Sequence, residues 1–146
     1  MARRVTLRLP GALANEIRRH GEAAYPAECC GALVGRVEND AKSVLRLAPA
    51  VNRRTDDRHR YLIAPDDLRR LEHEVRASGH DIVGYYHSHP DHPARPSAFD
   101  AEHAWPWYSY VIVRVDRGRG ADLASWVLDD ERSLMHPESL DVLNEV

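Results

Sequence analysis

The chain has 146 residues, 43% hydrophobic and 29% charged, the size and balance of one soluble domain with a single core. Its 23 acidic and 20 basic residues leave a formal net charge of −3, which removes the electrostatic case for nucleic acid or an anionic membrane as partner. No apolar stretch of about 18 residues offers a membrane span, and the adjacent pair Cys29 and Cys30 cannot build a disulfide framework, so a reducing cytoplasm is the expected location.

Val5, Leu7 and Leu9 alternate with Thr6 and Arg8, which predicts a first strand. Pro10-Gly11 opens a helix with Leu13 and Ile17 on one face, ending near Gly21. Residues 30–37 are short, apolar and glycine-bearing and predict a buried strand. Glu38-Asn39-Asp40 is a turn, and 43–51 is the partner strand of a hairpin. Arg53-Arg54 and the arginines of 58–60 are diluted by Asp56 and Asp57. Pro65-Asp66-Asp67 starts the clearest helix: proline fits the first helical position, and the aspartates favour the positive end of the helix dipole. Leu68, Leu71 and Val75 form its apolar stripe, and Gly79 is its stop.

The run 81–89 begins with continuous apolar residues, the pattern of a central strand covered on both faces. Residues 91–96 hold two prolines and are loop. A short helix is expected over 97–104, a buried strand over 108–115, a turn over 116–120 and another strand over 121–128. The domain proper is 1–130. Residues 131–146 read as a polar tail in which Leu140 and Leu143 dock a last short helix. With no repeat, long linker or second domain, the expected architecture is one mixed sheet with helices packed on it.

Chemistry concentrates in Tyr86-His87-Ser88-His89-Pro90 and Ser97-Ala98-Phe99-Asp100. Side chains alternate along a strand, so His87 and His89 point the same way and can converge on one metal. A catalytic zinc takes three protein ligands and a water, and Asp100, in the first turn of a helix begun by Ser97, is the best third ligand. Activated water also needs a base. Glu28 is the candidate, just ahead of a strand whose Gly31 and Ala32 allow close packing. Singly, each residue has a plainer explanation: an exposed strand face for the histidines, a helix cap for Ser97 and Asp100, a surface carboxylate for Glu28. Their joint spacing points to a metal site.

That spacing resembles a known family. Glu28, then His87-x-His89-Pro90, six residues, Ser97, two residues and Asp100 resembles at every position the signature of the JAMM (MPN-plus, Mov34/PAD-1-like) zinc metallopeptidases. Pro26-x-Glu28-Cys29-Cys30-Gly31, followed by Leu33 and Gly35, resembles that family's first segment. The resemblance runs from about Val5 to Leu128. It implies an α+β MPN (JAB-like) fold, a curved mixed sheet flanked by helices in three α/β/α layers, related to the cytidine-deaminase architecture. It implies one zinc per chain on His87, His89 and Asp100. It makes Glu28 the general acid/base and Ser97 the residue that hydrogen-bonds the metal's water and steadies the oxyanion. No ligand position is substituted, unlike the inactive scaffolding branch.

Phe99-Asp100 to Trp105-Pro106-Trp107-Tyr108 resembles small bacterial stand-alone members linked to ubiquitin-like (β-grasp) sulfur carriers that end in Gly-Gly. The implied reaction is hydrolysis of the bond after that tail. Two alternatives stand beside it: a small-peptide or isopeptide hydrolase without a carrier, and a non-enzymatic, zinc-containing partner-binding module. Intact Glu28 and Ser97 argue against the last, because a structural zinc is normally closed by four protein ligands. A RadC-like reading expects Ser-Gly where Asp91-His92 stands, and a nucleobase deaminase needs a Pro-Cys-x-x-Cys motif that is absent. His73-Glu74 lacks the second histidine of a zincin helix. His20, His59, His80, His103 and His136 are expected at the surface, while His92 in the loop is placed to touch substrate. Cys29 and Cys30 are packing residues, with Cys30 sharing the alternation of Glu28. Trp105, Trp107 and Tyr108 are expected to pack in the core, with Trp105 a candidate border of the tail-binding groove.

Overall fold

A computed structural model describes residues 6–53, 61–131 and 134–144. Val5 and the segment 54–60, with Arg54, Asp56, Asp57, the 58–60 arginines and His59, lie outside the described residues. In chain order the elements are β1 (Thr6–Pro10), α1 (Gly11–Ala24), β2 (Cys30–Glu38), β3 (Ala41–Ala50), α2 (Pro65–Ala77), β4 (Asp81–Pro90), α3 (Ala98–His103), β5 (Ser109–Asp116), β6 (Arg119–Leu128) and β7 (Met135–Leu143).

The strands form one mixed sheet in the order β1-β3-β2-β4-β5-β6-β7, and β7 returns to β1, so the curved sheet closes. β1 runs parallel to both β3 and β7, and β4 runs parallel to β5; the other pairings are antiparallel. The β2–β3 hairpin turns on Asn39 and Asp40, both with positive φ (47° and 65°). Two left-handed residues make the turn whose twist matches paired strands. Helices cover both faces. On one side α1 sets Ala14 and Ile17 against Leu7, Leu9, Leu33, Val83, Val111 and Val113. On the other, Val75 and Leu71 of α2 meet Ala32, Val34 and Ala48. Leu33 goes to one helix and its neighbours Ala32 and Val34 to the other, which is why the central strands read as unbroken apolar runs.

Two expectations give way. Gly21 does not end α1, which continues to Ala24. It is a packing glycine: a Cβ there would lie 2.8 Å from Val115 Cγ2. The 131–146 segment is not a tail with a docking helix, because Met135–Leu143 is strand β7. It pairs with β6 and with β1, and is drawn in by two strand edges rather than by burial of an apolar face, so most of its side chains stay exposed. By contrast Gly79, at φ 82°, follows α2 as a left-handed stop. Among the described residues, no helix is long and apolar enough to cross a membrane.

Candidate active site

β4 carries the chemistry to one end of the sheet. Gly84 lets it start flush against β5: a Cβ there would sit 2.0 Å from the Ser109 carbonyl oxygen. From that start the parallel register sets His87 opposite Ile112 and His89 opposite Arg114. Both imidazoles are buried, and their Nε2 atoms lie 3.2 Å apart.

The loop after Pro90 returns the chain to them and is tied down along its length. Asp91, at φ 56°, makes the sharp turn. Its N–H donates to the Val115 carbonyl (2.8 Å), and its carboxylate accepts from Tyr25 Oη–H (2.6 Å) and the Arg117 N–H (2.8 Å). Trp126 Nε1–H donates to the Ala94 carbonyl (3.0 Å). Ser97 then caps α3 in a capping box: its Oγ accepts from the Asp100 N–H (3.0 Å), while Asp100 Oδ2 accepts from the Ser97 N–H (2.9 Å).

This cap aims Asp100 Oδ2 at the histidines, 3.2 Å from His87 Nε2 and 3.0 Å from His89 Nε2. The three atoms form a triangle with edges of 3.0–3.2 Å. A tetrahedral ion with bonds of about 2.0 Å needs ligand atoms about 3.3 Å apart, so the two nitrogens and one oxygen fit a zinc. The tautomer fits too. His89 Nδ1 lies 2.8 Å from the Pro93 carbonyl, which accepts only a proton-bearing nitrogen, so Nε2 is left with its lone pair. Burial opposes ionisation of Asp100, but its pairing with the His87 and His89 nitrogens and the hydrogen bond from the Ser97 N–H outweigh it and hold the carboxyl well below the usual range. Burial lowers the His87 pKa, against the pull of Asp100, which favours the neutral ring a metal requires.

Glu28 completes the cluster. It is buried, with a carboxylate oxygen within 4.8 Å of both histidine nitrogens. The segment 28–30 is clamped to β4. Ser88 Oγ accepts from the Cys29 N–H (2.8 Å), the Ser88 N–H donates to the Cys29 carbonyl (3.2 Å), and Cys30 stands opposite His87. Gly31 allows this approach, since a Cβ there would meet the Tyr86 ring at 2.4 Å. A cleft of about 270 Å³ opens beside the cluster, lined by Glu28, His89, His92, Pro93, Arg95 and Ser97.

Glu28, His87, His89, Ser97 and Asp100 thus come together, and His92 lines the cleft beside them. Three neighbours escape a reading by motif. Ser88 faces away from the histidines. Asn52 donates from Nδ2 to the Glu28 carbonyl (3.0 Å) and accepts the Leu62 N–H at Oδ1 (2.9 Å), joining two loops. Tyr61 stacks on His87, ring centroids 4.6 Å apart and planes 25° from parallel. Burial, with Asp100 close by, pushes its hydroxyl well above the ordinary range. Tyr61 follows a charged stretch without periodicity, so nothing in its spacing marks it. Burial also pushes the thiols up, Cys29 to about 11 and Cys30 to about 12, so both are neutral packing groups.

Other expectations change. His20 is not a plain surface residue; half-buried on α1, its Nδ1 lies 2.8 Å from Tyr86 Oη. Trp105 and Trp107 are not core: they are 65% and 46% exposed. The sequence hides this because aromatic residues flanking an apolar strand look like packing, whereas Pro106 and the positive φ of Trp107 (80°) turn both rings outward before β5 begins.

Comparison with known proteins agrees with this geometry. The family described as "Prokaryotic homologs of the JAB domain" matches residues 10–129. The desampylase of Haloferax volcanii is 37% identical over 118 residues, 80% of this chain and 82% of that protein. A probable TtuB-protein conjugate cleaving protease of Thermus thermophilus is 32% identical over 112 residues, 77% of this chain and 72% of that protein. A JAB1/MPN domain protein from Archaeoglobus fulgidus superposes with a TM-score of 0.54 at 16% identity, covering 94% of this chain and 98% of that one, a likeness of fold.

Proposed function

This chain is a member of the prokaryotic JAB family, a JAMM-type peptidase, and on that premise we propose that it cleaves the amide bond following the Gly-Gly tail of a ubiquitin-like sulfur carrier. One zinc per chain would be held by His87, His89 and Asp100. The observation that carries the reading is the 3.0–3.2 Å triangle of their ligand atoms with Glu28 beside it in the cleft. Support for a carrier comes from the relatives, a desampylase and a probable TtuB-protein conjugate cleaving protease. The free, neutral thiols suit a cytoplasmic enzyme.

When bound, the zinc supplies Lewis acidity to the scissile carbonyl and lowers the pKa of water. The protein's own groups do the rest. Glu28 takes a proton from the attacking water on its carboxylate and returns it to the departing nitrogen, so the amine leaves neutral. Ser97 Oγ already accepts from the Asp100 N–H, which leaves its O–H to donate to the developing oxyanion of the substrate. Asp100, held ionised, keeps its charge across the working pH range. A Gly-Gly tail, having no Cβ, can lie extended in a narrow cleft.

The test is intact mass of a Gly-Gly carrier bearing one extra C-terminal residue, and of the same carrier linked to a lysine side chain. Each is incubated with zinc-loaded protein, with an EDTA-treated control and with Glu28→Gln. Zinc-dependent release, reduced by about 10²–10⁴-fold in Glu28→Gln at undiminished zinc content, is expected. Zinc-loaded protein that releases neither group refutes the reading.

A further inference from the structure

We propose that Arg95 selects the leaving group by pairing with its carboxylate, so that the site favours a carrier extended by one free C-terminal residue over a carrier linked to a lysine side chain. The inference rests on the function just proposed. Arg95 lines the cleft together with Glu28, His89 and Ser97. It brings a guanidinium to a site in which metal ligation, proton transfer and oxyanion support already have their residues. Among the described residues its side chain makes no ion pair or hydrogen bond, whereas Arg114 on β5 is held by Asp122 (2.7 Å) and Arg53 by Asp67 (2.9 Å).

The presentation of Arg95 is rigid. Its N–H donates to the Pro93 carbonyl (2.8 Å), closing a tight turn over Ala94. Ala94 is buried, and its carbonyl accepts Trp126 Nε1–H (3.0 Å). Pro93 fixes its own φ, and Pro96 holds Arg95 extended. The Pro93 carbonyl that receives the Arg95 N–H also receives His89 Nδ1–H (2.8 Å). One oxygen therefore sets both a metal ligand and the backbone of the arginine. Arg95 stands two residues ahead of Ser97, at most about 7 Å from it along the backbone, a span that a long side chain covers.

The substrate decides what that guanidinium meets. On the carrier side of the scissile bond the glycines bring amides and no side chain. On the other side Glu28 hands its proton to the departing nitrogen, and Glu28 and Arg95 line one cleft. When the leaving group is a single C-terminal residue, one Cα separates that nitrogen from a free carboxylate. When it is a lysine side chain, the nitrogen is followed by methylenes. Glu28 is buried and anionic as the base, so a second carboxylate brought beside it is repelled unless a cation offsets it. A planar, permanently charged guanidinium does so and matches a carboxylate through paired N–H donors. Hydrolysis then yields the carrier ending in its Gly-Gly carboxylate and one free amino acid, the elements of water being shared between them.

The experiment gives zinc-loaded full-length protein three carriers: one ending in Gly-Gly-alanine with a free carboxylate, one ending in Gly-Gly-alaninamide, and one joined through Gly-Gly to a lysine side chain. kcat and KM are read by intact mass for the wild type, Arg95→Ala and Arg95→Lys, each checked for zinc content and thermal midpoint. The wild type is expected to favour the free acid over the amide by roughly tenfold or more in kcat/KM. Arg95→Ala should bring that ratio close to unity through a rise in KM for the free acid, and Arg95→Lys should keep part of it. A wild-type ratio close to unity overturns the proposal, as does a ratio preserved in Arg95→Ala, even where both rates fall together. In those cases cleavage of the amide or of the lysine-linked carrier leaves the peptidase reading standing. If none of the carriers is cleaved with zinc bound, that reading fails and the role of Arg95 with it.

Discussion

Ser88 lies between the two histidines and points the other way, fully buried, with its Oγ receiving the Cys29 N–H. It contributes no ligand atom, yet it ties the residue next to Glu28 to the strand that presents the histidines. Ser88→Ala leaves that N–H buried without an acceptor. We expect a loss of about 1–3 kcal/mol in denaturant unfolding, and a fall in kcat with zinc content retained because Glu28 drifts from the cluster. Unchanged kcat would show that Glu28 is placed without it. Tyr61 acts on the other side. His89 has a hydrogen bond from Nδ1 to fix its ring, whereas His87 Nδ1 is buried and has no hydrogen-bond partner among the described residues. The stacked Tyr61 ring takes over that orienting task. Tyr61→Ala should weaken zinc binding about 10–100-fold in chelator competition, and Tyr61→Phe, which keeps the stack, should not. Equal affinities in both variants would remove the role. These two residues also mark where legibility stops. His87, His89 and Asp100 stand out because a metal needs donor atoms that converge, and Glu28 and Ser97 because the whole pattern resembles the JAMM signature. A serine facing away and a tyrosine on an aperiodic loop act through tertiary contact alone.

At the scale of elements, β3 and β7 are not bonded neighbours, yet Lys42 on one and Glu138 on the other join them by an ion pair at 3.7 Å. Ser125 Oγ–H donates to Glu138 Oε1 (2.8 Å) and shares the carboxylate. Truncating Lys42 to methionine strands that carboxylate in the interior. A loss of about 3–5 kcal/mol, read from the urea midpoint, is expected. The double variant Lys42→Met/Glu138→Gln should recover part of it, and a Lys42→Met protein as stable as the parent would mean the pair contributes nothing. Most elements announce themselves in the sequence: α2 by proline, aspartates and Gly79, and β2, β4 and β5 by apolar runs. Gly21 misleads because a glycine needed for close packing and one needed to end a helix look alike in one dimension. β7 is missed because a strand held by backbone pairing on both edges needs no apolar alternation.

For the whole molecule, both helix-backed cores are built from apolar side chains and include none of the metal triangle, so the fold should stand without zinc. EDTA is expected to leave the far-ultraviolet circular dichroism unchanged while lowering the thermal midpoint, the loss approaching about 4 kcal/mol if zinc had been present at a thousandfold excess over its Kd. Loss of secondary structure on chelation would instead make the metal part of the scaffold.

The closure of the sheet bears on how the chain folds during synthesis. β2 and β3 can zip as a local hairpin soon after they emerge, and β6 can join β5 across a short turn. β1 is made first but pairs along its length with β7, which is made last. Until that late arrival β1 is held, among the described residues, by three residue pairs with β3 and by the packing of Leu7 and Leu9 against α1. The ring is therefore completed only after the residues through β7 have left the ribosome, and this long-range contact makes closure the slow step.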